Sequence, residues 1–235
     1  STCEELAYPW FADARLAEEL DRLARAHGAR LLGTGVNPGF VMDALPLFAT
    51  AVCRRVESVH AWRVQDASTR RVPFQKKIGA GLEPAEFDAR VADGSLRHVV
   101  LPESLHFLAH YLGFQIERWS ESIEPVIAAR ELACALGPIP KGRVAGVRQV
   151  AEGQVGGRVR LLLEFQAAIG EPRSYDRVLI EGEPRIDLVL EGGVHGDVAT
   201  TAIVLNSLQA LIGAPSGLHT MATLPMVFWR GGSQA

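Results

Sequence analysis

ARLLGTGVNPGF, residues 29–40, decides what kind of chain this is. The run ARLLGTG is short, apolar and closed by glycine, which reads as a buried strand. VNPG is a turn, because Pro38 presets its own φ and Gly39 permits backbone angles other residues avoid. Upstream, Leu16, Leu20, Leu23 and Ala24 recur at helical spacing opposite Glu18, Glu19, Asp21 and Arg22, which predicts an amphipathic helix from Phe11 to about Gly28. Downstream, FVMDALPLFATAVCRR, residues 40–55, predicts a second helix. Helix, strand, helix is α/β texture.

Beyond Arg55 the period changes. VESVHAWRVQ alternates like a strand, followed by a basic loop and helices over 84–91 and 103–112. From Phe114 on, FQIERWSESIEPVIA, GRVAGVRQVAEG, GRVRLLLEFQAAIG, YDRVLIEG and RIDLVLEG alternate with period two between polar or glycine turns. Such closely spaced strands are expected to be antiparallel neighbours. In GGVHGDVATTAIVLNSLQALIGAPSG, Asp197 is placed to cap a last helix with Ala202, Leu205, Leu208 and Leu211 near one face, stopped by Gly213 and Pro215.

With 235 residues, 48% of them hydrophobic and 22% charged, the chain can bury a sizeable core. The formal net charge is −3 and the basic residues are dispersed, which argues against nucleic acid and anionic membranes as partners. The apolar stretches are interrupted and too short to span a bilayer. Cys3, Cys53 and Cys134 are far apart and odd in number, which argues against a disulfide framework or zinc knuckle and for a reducing, cytoplasmic location.

Two stretches could serve nucleotide chemistry. GTGVNPG, residues 33–39, follows a strand and precedes a helix, so its glycines could cradle a pyrophosphate. Against that, Pro38 removes an N–H donor, and a turn that uses glycine for backbone angles explains the pattern equally well. The opening STCEELAYPW is a small-residue turn running into two carboxylates, Glu4 and Glu5, which could move protons beside a cofactor or merely complement a helix N-terminus. Arg70, Arg71, Gln75 and Lys77 form a cluster that could take a substrate carboxylate or be a solvated basic loop. His106 and His110 lie one helical turn apart without an evident third metal ligand. His195 precedes the last helix and is a pocket candidate, and Trp10 is the tryptophan nearest the opening turn.

STCEELAYP, GTGVNPGFVMDALP, VQDASTRRVPFQKKIGAG, LPESLHFLAHYLG, GGVHGDVATTAIVLNSLQAL and HTMATLPMV, taken in order, resemble the 2,4-diaminopentanoate dehydrogenase and amine dehydrogenase family, related in fold to dihydrodipicolinate reductase. The resemblance covers nearly the whole chain and implies an α/β protein. It would comprise the C-terminal remnant of a Rossmann-like domain and an α+β substrate domain with a mixed, largely antiparallel sheet. The implied divisions are 1–55 for the remnant, 56–195 for the substrate domain, and 196–235 for a helix and tail packing back on the remnant. Ser1 then corresponds to the end of a family strand whose upstream half-domain, phosphate loop included, is missing, and GTGVNPG becomes a late turn facing the nicotinamide.

The implied activity is NAD- or NADP-dependent exchange of a primary amine for a carbonyl and ammonia. Either Glu4 or Glu5 would be the catalytic carboxylate, with Glu4 favoured. Ser1, Thr2 and Cys3 would lie along nicotinamide and ribose. Asn37, Pro38, Gly39 and Phe40 would shape the pocket, Asn37 being able to hold the carboxamide or to cap a helix. Related enzymes pair through the broad sheet, which implies a homodimer. The alternatives are a self-sufficient nucleotide module using GTGVNPG, or a non-catalytic binding or dimerisation domain.

Overall fold

The structure, a computed structural model, describes residues 1–96 and 101–231. In chain order a 3-10 turn (Glu4–Ala7) leads into α1 (Pro9–Ala12), α2 (Ala14–Ala26), β1 (Arg30–Leu32), α3 (Ala44–Ala49), β2 (Arg55–Asp66), α4 (Val72–Lys77), α5 (Pro84–Ala92) and α6 (Leu101–Leu112). Then come β3 (Arg118–Ile127), β4 (Leu132–Cys134), β5 (Gly137–Ile139), β6 (Val144–Val155), β7 (Arg158–Ala168), β8 (Tyr175–Glu183), β9 (Ile186–Glu191), α7 (Gly196–Gly213) and β10 (Gly217–His219).

Two compact units divide the chain. The first comprises residues 1–52 with the described parts of 100–115 and 194–235; the second comprises 53–99 and 116–193, again as described. Residues 101–115, inside the span the sequence reading assigns to the substrate domain, cluster with the first unit.

In the first unit β1 and β10 pair in parallel, Leu31 opposite Leu218. Ser1 extends this sheet on the other side of β1: its N donates to Leu32 O (2.9 Å) and its O accepts from Thr34 N (3.0 Å), the bond pattern of a parallel neighbour. Helix α7 packs on β1, with Leu32 buried among Ala210, Ala214 and Leu224. Three local expectations need correction. The first helix breaks at Asp13, whose side chain caps α2 by accepting from Leu16 N. Its buried stripe is Ala17 and Ala24, while Leu16 and Leu23 are exposed. The cause is the close approach of β10, where Leu218 N donates to Asp21 Oδ1 (2.8 Å), which only a small-residue stripe permits.

The second predicted helix is shorter than 40–55 because Asp43 caps it and residues 37–43 are spent on a turn; it begins at Ala44. In α7, His195 rather than Asp197 occupies the N-cap position. Leu205 and Leu208 are exposed, and the buried positions are Gly196, Ser207 and Ala210, because α7 meets its neighbours through small residues.

The second unit is built on a six-stranded sheet in the order β3-β6-β7-β2-β8-β9, antiparallel except for the parallel pair β2 and β7. This is the mixed, largely antiparallel sheet expected from the sequence. Hairpin neighbours β6/β7 and β8/β9 follow the simple alternation rule, but β7 and β8 are separated by β2, which enters between them. The period-two pattern of β7 buries Leu161, Leu163, Phe165 and Ala167 on one face, each large side chain contributing about 1.5–3 kcal/mol. Phe87 of α5 and Ile78 after α4 are also fully buried in this unit.

Candidate functional site

In the first unit β1 and β10 point their carboxyl ends the same way, and Ser1 bonds to the other edge of β1 in the parallel pattern. Open parallel sheets expose ligand crevices there, where chains leave the strands and turn away. A cleft of ≈ 180 Å³ lies just beyond Ser1 and the end of β1, lined by Thr2, Cys3, Glu4, Thr34, Gly35, Val36, Asn37, Pro38 and Thr200.

The 3-10 turn separates the two carboxylates. With about three residues per turn, neighbours point roughly 120° apart. Glu4 lines the cleft, whereas Glu5 is exposed and accepts from Cys3 Sγ at 3.1 Å. That hydrogen bond to Glu5, with partial burial, raises the Cys3 thiol above its ordinary pKa.

Opposite, the 33–39 turn is closed on itself. Val41 N donates to Val36 O (2.9 Å), and Asn37-Pro38 is a cis peptide. Gly39 sits at φ +123°, with Gly35 backbone so close that no side chain would fit. Gly39 N donates to Asp43 Oδ2 (2.7 Å), and Thr34 N is taken by Ser1 O. Two of the turn's backbone donors, Thr34 N and Gly39 N, are thus already paired, Pro38 has none, and α3 starts only at Ala44, which argues against GTGVNPG as a self-sufficient phosphate turn. What the turn offers instead is side chains. Thr34 Oγ1, Asn37 Nδ2 and Asn37 Oδ1 are shielded from solvent and have no hydrogen-bond partner among the described residues. Each such group costs about 1–3 kcal/mol until something pairs with it.

Asp43, which sequence reading passed over, is 2% exposed. Its carboxylate accepts from Gly39 N (2.7 Å), Ala44 N (2.6 Å) and Ser104 Oγ of α6 (2.9 Å). Burial pushes its pKa up, and these hydrogen bonds oppose the rise. Helix capping contributes about 1 kcal/mol, whereas burying a carboxylate costs several. Capping α3 alone does not account for an acid at this depth.

Of the residues singled out from sequence, Thr2, Cys3, Glu4, Asn37 and Pro38 come together at the cleft. Ser1 and Gly39 support it through backbone bonds. Glu5, Trp10, Phe40 and His195 belong to the same unit but are not among the lining residues. Trp10 packs against Tyr8 (5.6 Å between rings), Phe40 O accepts from Leu45 N (2.8 Å), and His195 is an exposed residue whose O accepts from Ala199 N (2.9 Å).

Arg70, Arg71 and Gln75 belong to the second unit. Arg70 is 9% exposed, donates to Gln65 Oε1 (3.1 Å) and lies over the Phe74 ring. Arg71 is exposed at the N-cap of α4. Gln75 is fully buried, its Nε2 donating to the Ala67 and Ser68 carbonyls (3.0 and 3.1 Å), which ties the loop before α4 to that helix. His106 stacks on Phe11 (4.2 Å) and His110 lies against Tyr8 and Tyr111; among the described residues no group of three or more metal-ligating side chains converges. Thr34 and Gly35 were legible as parts of GTGVNPG. Thr200 was not, because only the packing of α7 on β1 carries it to the cleft.

A parallel-sheet unit with a polar cleft at its strand ends, joined to a mixed-sheet α+β unit, defines a two-part α/β architecture of the Rossmann-associated kind. A family model described as 2,4-diaminopentanoate dehydrogenase C-terminal domain matches residues 40–230, and the chain belongs to that family. It is 34% identical over 233 residues to 2,4-diaminopentanoate dehydrogenase of Acetoanaerobium sticklandii, covering 96% of this chain and 66% of that protein. It is 21% identical to an amine dehydrogenase of Streptomyces virginiae, covering 85% and 61%. The solved structure of amine dehydrogenase from Mycobacterium smegmatis superposes with a TM-score of 0.84 at 25% identity, covering 97% of this chain and 68% of that one. The chain spans about two thirds of the length of these relatives.

Proposed function

We propose that this chain carries the catalytic carboxylate and one wall of the nicotinamide site of an NAD(P)-dependent dehydrogenase acting on a primary amine or diamino acid. The observation that carries the reading is that Glu4 lines the same cleft as Asn37, whose amide is buried and, among the described residues, unpaired on both its atoms. A nicotinamide carboxamide both donates and accepts, which is what the Asn37 amide and the Thr34 hydroxyl lack. The relatives named as dehydrogenases of 2,4-diaminopentanoate and of amines support the same chemistry.

Bound nicotinamide supplies the hydride acceptor or donor. The residues of the chain handle charge. An ammonium has no lone pair with which to expel hydride, so Glu4 first takes its proton as general base. Once Glu4 has passed that proton to solvent, loss of hydride from the amine-bearing carbon would leave an iminium cation, which the regained carboxylate stabilises; water would then add with loss of a proton to Glu4, which returns it to the nitrogen so that ammonium leaves and the carbonyl forms. Exclusion of solvent once ligands fill the cleft would strengthen the attraction between carboxylate and cation. We read the protein as cytoplasmic, with three free cysteines, and as a homodimer pairing through the broad sheet of the second unit.

Turnover of the whole polypeptide with 2,4-diaminopentanoate or an aliphatic amine tests this. Glu4→Gln is expected to lose about 10²–10⁴-fold in kcat, as removal of a general base does, while Glu5→Gln stays within a few-fold. The reverse order would transfer the role to Glu5, and full activity in both variants would sink the mechanism.

A further inference from the structure

We infer that Asp43 is a positioning residue, which with Ser104 holds the 35–39 turn so that the Asn37 side chain stays at the cleft. This rests on the reading of the cleft as a nicotinamide site. Asp43 is not among the residues that line the cleft. One carboxylate oxygen accepts from Gly39 N and from Ser104 Oγ of α6, while the other accepts from Ala44 N, the first residue of α3. Turn, short helix and α6 are therefore pinned to one side chain.

The pin acts one residue beyond Pro38 and two beyond Asn37. Within the turn, the Cβ position of Gly39 is blocked by Gly35 backbone, so Gly35 and Gly39, on either side of Asn37, pack backbone against backbone. A buried acid is costly to keep, and what it secures here is the placement of two unpaired amide atoms and the neighbouring Thr34 hydroxyl, which are costly as well. α6 enters the arrangement through Ser104, itself 1% exposed, so the turn is anchored to a helix that is buried on most of its sides.

A double-mutant cycle on nucleotide affinity separates this role from general support of the fold. Binding of NADH and NADPH is followed by their fluorescence in the whole polypeptide, for Asn37→Ala, Asp43→Asn, Ser104→Ala and the pairs with Asn37→Ala, with circular dichroism to establish folding. Asn37→Ala and Asp43→Asn are each expected to weaken binding about tenfold, and Ser104→Ala by less. Added to Asn37→Ala, neither Asp43→Asn nor Ser104→Ala should weaken it further, because both act through Asn37.

Full additivity, or an Asp43→Asn protein that binds like the parent, would overturn the inference and leave the nicotinamide reading standing. An Asn37→Ala protein with unchanged affinity would overturn both. If Asp43→Asn fails to fold, the Ser104→Ala arm decides by the same criterion.

Discussion

Gly33 can carry no side chain, because a methyl there would overlap the Leu6 carbonyl and lie 2.7 Å from Ala7 N. The glycines of GTGVNPG therefore serve backbone against backbone: Gly33 admits the 3-10 turn that bears Glu4, and Gly39 admits Gly35. Gly33→Ala is expected to push that turn off β1, lowering stability by about 1–3 kcal/mol in urea denaturation and displacing Glu4, so turnover should fall further than stability alone explains. An alanine variant with parental stability and turnover would show that the 4–7 turn is not held this way. At the same scale the two carboxylates part company. Adjacent in sequence, they differ only in the direction their 3-10 positions impose, which sends Glu4 to the cleft and Glu5 to Cys3.

Among the elements, β2 and β8 are joined by a buried ion pair. Arg63 Nη1 donates to both carboxylate oxygens of Asp176 at 2.8 and 2.9 Å, with side chains 2% and 1% exposed. Burial pulls the guanidinium below its usual pKa, and Asp176 counteracts it. Asp176→Ala leaves a buried cation short of its carboxylate and is expected to cost about 3–5 kcal/mol in chemical denaturation. A loss below about 1 kcal/mol would mean the guanidinium finds other acceptors.

His60 on β2 behaves differently. Its Nε2 is 2.9 Å from Glu164 Oε1, yet burial outweighs that carboxylate and lowers the imidazole pKa to about 4. The unfolded chain, with the ordinary value of 6.5, binds the proton first on acidification, so folding stability declines as pH falls from 6.5 towards 4. In His60→Gln, melting temperatures measured across that window should show a shallower slope; an unchanged slope would assign it to other groups.

For the whole molecule, the face of the large sheet that carries His60, Trp62, Arg148, Glu164 and Arg177 is a half-buried mosaic. Arg148 pairs with Glu164 (2.7 Å), and the Arg177 guanidinium lies 4.9 Å from the Trp62 ring centre. Mixed aromatic and arginine surface is what protein interfaces favour. Light scattering is expected to give twice the mass of one chain, and Trp62→Glu to halve it; a parental monomer would end the dimer reading.

Local pattern was enough to find most strands, to set the turn at 33–39, and to mark Glu4 and Glu5 as candidates, because period and turn chemistry act over a few residues, whereas Asn37 became a candidate only through the family resemblance. The insertion of β2 between β7 and β8, the rotation of α2 onto Ala17 and Ala24, and the arrival of Thr200 beside Gly35 were decided by tertiary structure. So was the depth of Asp43, which rests on a hydroxyl from α6, sixty-one positions along the chain. Partners so distant in sequence are chosen by which surfaces can be buried together, and neither alternation nor spacing records that choice.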